Sequence, residues 1–373
     1  MGAPDEALDS NKSGLPSGYH SPQLEVAVRL NTNETPEPPS EEFIAELKEI
    51  VADLRLNRYP DREAVALRDA IASHHQTSAD NVFCANGSNE VLQCILVAFG
   101  GPGRFCALWE PTYALHSHIA QLTGTGIAVG DRDAEFLVPE DELDRLLPAR
   151  ADGRSPDVVF LCSPNNPSGR LEPEATVRTV LSRARGHVVI DEAYAPFAGT
   201  SVIPTLGVHE NLIVVRTFSK AWALAGLRLG YAVARPEVVR TLFDVALPYH
   251  LDQFKQAAAI AALRHEGALH DRTARIVRER DRVAEALRRL DVETVPSDAN
   301  FLLIRLGDRN ADVIWHRLVD RSVLVRNVSS WRGLSGCLRV TIGLRQENDA
   351  FLAALEASLS DASVPVYAKE PAK

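Results

Sequence analysis

The chain has 373 residues, 45% hydrophobic and 24% charged, an ordinary globular make-up with length for one large domain and a smaller one. Its net charge of -10 and pI near 5.6 leave no basic surplus for nucleic acid or an anionic membrane surface as partner. No apolar run approaches a membrane span and no secretory h-region opens the sequence, which argues for a cytoplasmic protein.

Residues before about Leu24 are rich in Gly, Ser and Asp and read as a loosely held arm. Pro36-Glu-Pro-Pro39 punctuates the entry to a first helix, with Ser40 as its N-cap. From about Val82 to Val233, strands and amphipathic helices alternate, and a doubly wound, mostly parallel sheet is the economical solution. Polar residues collect at the C-terminal ends of these strands, where open α/β sheets bind ligands. The first strand turns through Gly87 into a helix whose leading N–H groups, around Ser88 and Asn89, form a ready anion site; Ser88 could equally be a plain helix cap.

Next, Val158 to Cys162 is an apolar strand that enters a rigid Pro/Asn/Gly turn, Ser163-Pro-Asn-Asn-Pro-Ser-Gly169. His187-Val-Val-Ile-Asp-Glu-Ala-Tyr194 is another strand with polar groups at its end. Leu212 to Val215 leads to Thr217-Phe-Ser-Lys220, followed by a predicted small-residue helix, Arg228 and the strand Leu229 to Val233. A long helical stretch, Gln256 to Leu290 with a break at Gly267, leads away from this domain. Within it Arg278-Glu-Arg-Asp-Arg282 alternates in sign and reads as a solvated face. Strands at Asn300–Leu306, Val323–Arg326 and Leu338–Ile342 then alternate with helices at Asp312–Asp320 and Gln346–Leu359, a smaller α/β domain. The expected division is 1–38 as an arm, 39–255 as the large domain, 256–360 as the small one and 361–373 as a frayed tail. The five cysteines, Cys84, Cys94, Cys106, Cys162 and Cys337, form no CxxC pair and read as reduced packing residues, with no disulfide framework and no metal centre.

Lys220 is the most informative residue. A lysine at a strand end beside hydroxyls and an arginine can form a Schiff base with pyridoxal 5′-phosphate, a phosphorylated aldehyde that serves as an electron sink. Three other segments supply what that cofactor needs, one of them the Gly87 turn with the anion site at Ser88 and Asn89. Asn166 can donate to its phenolic oxygen, though alone it would read as an ordinary Asn-Pro turn; Asp191 can hold a proton on its pyridine nitrogen, though alone it could be a helix cap; and Tyr194 can reach the phenolic oxygen.

These segments, in this order, resemble the aspartate-aminotransferase-like, fold-type I enzymes. The resemblance narrows to histidinol-phosphate aminotransferases through Val28-Arg-Leu-Asn-Thr-Asn-Glu34, Asn57-Arg-Tyr-Pro-Asp61, Ala246-Leu-Pro-Tyr-His250, Pro296-Ser-Asp-Ala-Asn-Phe301 and Ser335-Gly-Cys-Leu-Arg-Val-Thr-Ile-Gly343. It runs from about Tyr19 to Leu359. It implies a pyridoxal-phosphate aminotransferase of histidine biosynthesis, taking an amino donor and a 2-oxo acid, 2-oxoglutarate. It implies that Lys220 is the Schiff-base lysine and proton shuttle, that Asp191 pairs with the pyridine nitrogen, and that Tyr113 stacks on the ring. Ser88, Asn89, Thr217 or Ser219, and Arg228 would hold the cofactor phosphate, with Tyr59 reaching it from the other subunit of a homodimer. Arg326 and Arg339 would hold the anionic end of the substrate, with Tyr19 nearby.

Three places depart from the family pattern. Asp252-Gln-Phe-Lys255 stands where small polar residues are expected, Asn327 follows Arg326 in place of Asp, and Ala114-Leu-His116 follows the ring-stacking tyrosine. Phe254 and Lys255 either reshape the substrate pocket or face solvent. Two alternatives therefore stay open: a paralogue acting on another amino acid, by transamination, elimination or decarboxylation, and a cofactor-binding sensor domain of a transcription regulator. The second would need a DNA-binding module, for which the sequence offers no basic recognition helix.

Overall fold

In the computed structural model, which describes residues 22–148 and 153–361, the strands follow the chain as β1 (Val28–Leu30), β2 (Val82–Ala85), β3 (Phe105–Glu110), β4 (Gly126–Asp131), β5 (Val158–Cys162) and β6 (His187–Asp191). They continue as β7 (Leu212–Thr217), β8 (Gly230–Ala234), β9 (Glu293–Thr294), β10 (Phe301–Arg305), β11 (Val323–Asn327) and β12 (Cys337–Thr341). The helices that position the site are α1 (Glu41–Asp53), α2 (Val65–His74), α3 (Ser88–Phe99), α4 (Leu115–Leu122), α5 (Glu140–Leu146), α6 (Glu174–Arg183), α7 (Ala195–Ala198) and α8 (Pro236–Val245). After them come α9 (Gln253–Arg264), α10 (Glu266–Arg289), α11 (Ala311–Asp320) and α12 (Arg345–Ser360).

Seven strands form one sheet in the order β2-β8-β7-β6-β5-β3-β4. The pairs from β7 through β4 are parallel, and β8 runs antiparallel to both β7 and β2. Every residue of β5, Val-Val-Phe-Leu-Cys, is buried, as suits a strand covered on both faces. Alternate residues serve opposite faces. Val158 and Phe160 pack with Ile95, Leu108 and Leu242, while Val159 and Leu161 pack with Val188, Ile190 and Val214. All five cysteines are buried and free, and burial pushes the Cys84, Cys94 and Cys106 thiols up to about 12, so they pack as apolar side chains.

The second sheet has the order β1-β11-β12-β10-β9, with β1 parallel to β11 and the other pairs antiparallel. Its register places Arg326 directly opposite Arg339. Helix α10 buries Leu269, Ile276, Val283 and Leu287 along one stripe and packs on α7, β9, β10 and α12, so it braces the two sheets together. Among the described residues, no helix is long and apolar enough to cross a membrane.

Ser40 does cap α1, its hydroxyl accepting from the Phe43 N–H at 3.3 Å. Two local expectations change. The chain breaks between α9 and α10 at His265, two residues before Gly267. The small-residue helix after Lys220 is absent: only a 3-10 turn forms, at Ala225–Leu227, and Arg228 ends it at φ 53°. The reason is that the chain must double back at once, because the Phe218 N–H already bonds the Leu229 carbonyl at 3.0 Å.

Candidate active site

A cavity of about 200 Å³ opens at the C-terminal ends of β5, β6 and β7. It gathers Ser88, Asn89, Tyr113, Asn166, Asp191, Tyr194, Thr217, Ser219, Lys220, Arg228 and Arg339, together with Thr32, Asn33, Cys162 and Ala193. Eleven of the residues expected from the sequence are thus neighbours. Tyr59 and Arg326 lie outside this cavity, and Tyr19 lies outside the described residues.

One end of the cavity is built for an anion. Gly87, at φ 83°, starts α3, and a Cβ there would stand 2.5 Å from Arg228 Nη2. Only glycine lets that guanidinium lie against the helix N-terminus, where unpaired N–H groups favour negative charge. Gly230 plays the matching part from β8, since a Cβ there would meet the Ser88 nitrogen at 2.2 Å. Arg228 Nη1 donates to Ser219 Oγ at 3.1 Å, and Thr217 Oγ1 donates to the same oxygen at 3.0 Å. Tyr113 is held by its hydroxyl, which donates to Asn89 Oδ1 at 3.0 Å.

Asp191, the last residue of β6, is 1% exposed. Its Oδ1 accepts the Ala193 N–H at 3.1 Å, and its Oδ2 meets His116 Nε2 at 3.1 Å. His116 is itself stacked on Phe160, with ring centres 4.7 Å apart. The sequence marked His116 only as a departure from the family pattern. It is in fact the carboxylate's partner, a role that a histidine three residues past a loop tyrosine does not announce by itself. Asn165 was also missed. It accepts from Thr112 Oγ1 at 3.0 Å and donates to the Pro111 carbonyl at 3.0 Å and to Ser168 Oγ at 2.9 Å, which ties the loop after β3 to the loop after β5.

Lys220 reaches into the cavity with Nζ 3.1 Å from the Thr32 carbonyl and 5.9 Å from the Tyr194 ring centre. Burial lowers its pKa to about 7, the Arg339 cation pushes the same way, and Glu34 pulls back against it and a smaller push from Arg228. Near neutral pH much of it is therefore a free amine. Burial moves the Tyr194 phenol the other way, well above the usual tyrosine value, so it stays protonated.

Arg339 Nη1 donates to Asn166 Oδ1 at 2.6 Å and its Nη2 to the Asn31 carbonyl at 2.7 Å. The first bond fixes the Asn166 amide, leaving its NH₂ as the group free to serve the cavity. Arg326 is buried, with its guanidinium 5.7 Å from the Trp331 ring centre. Tyr59 is 80% exposed and stacks on Tyr249, ring centres 4.6 Å apart. Neither Phe254 nor Lys255 lines this cavity. Asp252 caps α9, Lys255 Nζ bonds that same Asp252 at 2.8 Å, and Phe254 packs on the core.

The donor set fits pyridoxal phosphate: an amine for an aldehyde, a carboxylate for a protonated ring nitrogen, an amide and a phenol for a phenolic oxygen, and a glycine cradle with an arginine for a phosphate. Among the described residues, no group of three or more His, Cys, Asp or Glu side chains is placed to hold a metal ion. The family model for aminotransferase class I and II matches residues 25–355, and the chain belongs to that family, whose members are pyridoxal-phosphate enzymes. Within it the chain groups with histidinol-phosphate aminotransferases. The Corynebacterium efficiens protein of that name is 44% identical over 349 residues, covering 91% of each chain. The solved histidinol-phosphate aminotransferase of Sinorhizobium meliloti, in complex with pyridoxal-5′-phosphate, superposes with a TM-score of 0.81 at 25% identity, over 90% of this chain and 91% of that one. An L-threonine-O-3-phosphate decarboxylase from Porphyromonas gingivalis shares the fold at a TM-score of 0.77 and 25% identity, over 90% of this chain and 100% of the other.

Proposed function

We propose that this aminotransferase moves the amino group between histidinol phosphate and 2-oxoglutarate. The observation that carries the reading is the Lys220 amine, with a pKa lowered to about 7, in a cavity that also holds Asp191, Tyr194, Asn166 and Arg339. When bound, pyridoxal phosphate supplies the electron sink that lets the substrate Cα lose its proton. Lys220 Nζ is the amine that would hold the aldehyde and, as a neutral amine near pH 7, would carry the substrate Cα proton. Asp191, aimed by His116 and the Ala193 N–H, would hold the proton on the ring nitrogen. Asn166 and Tyr194 would donate to the phenolic oxygen, and Tyr113 would cover the ring. Ser88, Asn89, Thr217, Ser219 and Arg228 would bind the phosphate. Arg339 and Arg326 receive the substrate's anionic end, a phosphate monoester in one half-reaction and a carboxylate in the other, and guanidinium forks suit both.

The same reading extends to assembly. A homodimer in which Tyr59 completes the partner's phosphate site accounts for an exposed tyrosine in the motif shared with the family, and it would cover Leu56, Leu247 and Tyr249, which are also exposed. We assign residues 39–255 to the cofactor-binding domain and 256–360 to the smaller one, with β1 of the preceding arm joining the smaller sheet. The enzyme works in the cytoplasm on small molecules, without nucleic acid or membrane partners. The experiment is a panel of amino donors mixed with the loaded enzyme under single-turnover conditions. Histidinol phosphate should convert the bound cofactor to its amine form; conversion by another amino acid alone would overturn the substrate assignment and leave the enzyme class intact.

A further inference from the structure

Asn33 lies at φ 53°, in the left-handed region that asparagine tolerates better than most residues, and it is 1% exposed. Its backbone N–H donates to Thr341 Oγ1 at 2.9 Å. That hydroxyl donates its own proton to Asn33 Oδ1 at 3.1 Å. In this arrangement Oδ1 is the acceptor and Nδ2 the donor. Nδ2 stands 2.9 Å from Tyr194 Oη. The Asn33 carbonyl is taken as well, by Asn300 Nδ2 at 3.1 Å. Tyr194 thus receives a hydrogen bond from Asn33 and has its single proton left to give.

We infer that Asn33 is a positioning residue that turns the Tyr194 hydroxyl proton into the cavity, from a mounting on β12 through Thr341. The inference rests on the reading that Tyr194 meets the cofactor's phenolic oxygen, and it adds a cause for the direction of that hydrogen bond. A side chain at 33 that accepted from Tyr194 would draw the proton away. The charged and titratable groups that also face Tyr194 are Arg339, Asp191, Cys162 and Lys220, and none of them is altered by the substitutions below.

The test titrates the visible absorbance of the bound cofactor with pH in the holoenzyme. A hydrogen bond donated to the phenolic oxygen favours its deprotonated form, so Tyr194→Phe should raise the midpoint by about one unit. Asn33→Asp should raise it by a similar amount in wild type, but by roughly a few tenths on the Tyr194→Phe background, where only the new charge acts. Thr341→Val frees the amide to flip without adding charge and should give a smaller rise, while Thr341→Ser should give none; this pair carries the test if Asn33→Asp fails to fold. Two outcomes overturn the inference: variants that lower the melting temperature but leave the midpoint in place, or an Asn33→Asp shift of equal size with and without the Tyr194 hydroxyl. If Tyr194→Phe itself leaves the midpoint unmoved, the role of Tyr194 fails, and the inference with it.

Discussion

His116 Nε2 lies 3.1 Å from Asp191 Oδ2, and each residue is 1% exposed. A buried carboxylate at a strand end has few ways to keep one orientation. Here a stacked imidazole and one backbone N–H take an oxygen each, and the remaining lone pairs face the cavity. Asp191→Asn should therefore cost several orders of magnitude in rate. His116→Ala should cost roughly 10- to 100-fold, the scale of one hydrogen bond to a charged group. His116→Gln, which can still donate, should recover part of that loss. Steady-state kinetics on the three variants check the order; an Asp191→Asn enzyme of near-normal rate would rule out the pyridinium role.

Lys220→Ala should abolish turnover while the protein still folds, and borohydride reduction of the loaded enzyme should place the cofactor adduct on Lys220 by mass spectrometry. In the cofactor-free protein the amine should titrate near pH 7 rather than in the usual lysine range. Below that pH the ammonium form dominates and acylation slows. Because Arg339 is one of the cations that lower this pKa, Arg339→Gln should move the rise in labelling to higher pH. A rise that stays in the ordinary lysine range in wild type would contradict the buried environment.

Arg339→Ala should weaken both half-reactions, since one guanidinium serves both anions. It also removes the bond that orients Asn166, so the rate of the chemical step should fall along with binding. Rapid-mixing single turnovers with histidinol phosphate and with 2-oxoglutarate separate the two effects. A loss confined to one substrate would argue for separate anion sites.

Mixing inactive Lys220→Ala with inactive Tyr59→Ala subunits should restore partial activity, because each mixed dimer keeps one complete site. Sedimentation of an active, stable monomer would defeat the shared-site reading.

Glu172 and Arg132 form an ion pair that is almost wholly buried, and Arg132 also bonds the Phe136 carbonyl at 2.9 Å. The Glu172 N–H donates to Ser163 Oγ at 3.0 Å, so the pair anchors the turn that carries Asn166. Glu172→Ala leaves a buried guanidinium without its counter-charge and should destabilise the fold by about 3–5 kcal/mol. Urea unfolding measures it; a change within about 0.5 kcal/mol, the size of an ordinary surface substitution, would show that water reaches the site.

Much of the site could be read from the sequence because its residues follow apolar strands at fixed short offsets. Asp191 ends β6, Thr217 ends β7, and Lys220 follows three residues later. Strand burial and turn chemistry are local signals, so these positions are visible in one dimension. What stayed hidden depends on contacts between distant segments. Asn33, Asn165 and His116 act through partners that only the folded sheet brings close. The helix predicted after Lys220 failed for the same reason. Small residues permit a helix, but the bond from Phe218 to Leu229 across the turn overrides that local preference.

The lining of the cavity joins segments far apart in the sequence. Asn31 bonds Arg339 and Asn33 bonds Thr341, each across 308 positions. The seven-stranded sheet is complete in sequence by Ala234, long before β12 is made. During synthesis, Lys220 and Asp191 can thus be in place while Thr32 still lacks its anchored position above the amine. A ribosome-bound intermediate of that length would carry the reactive lysine without its cover. Tight, correctly oriented capture of the cofactor therefore belongs to the finished polypeptide, and a chain cut short before Arg339 should fold its larger sheet yet hold the cofactor loosely.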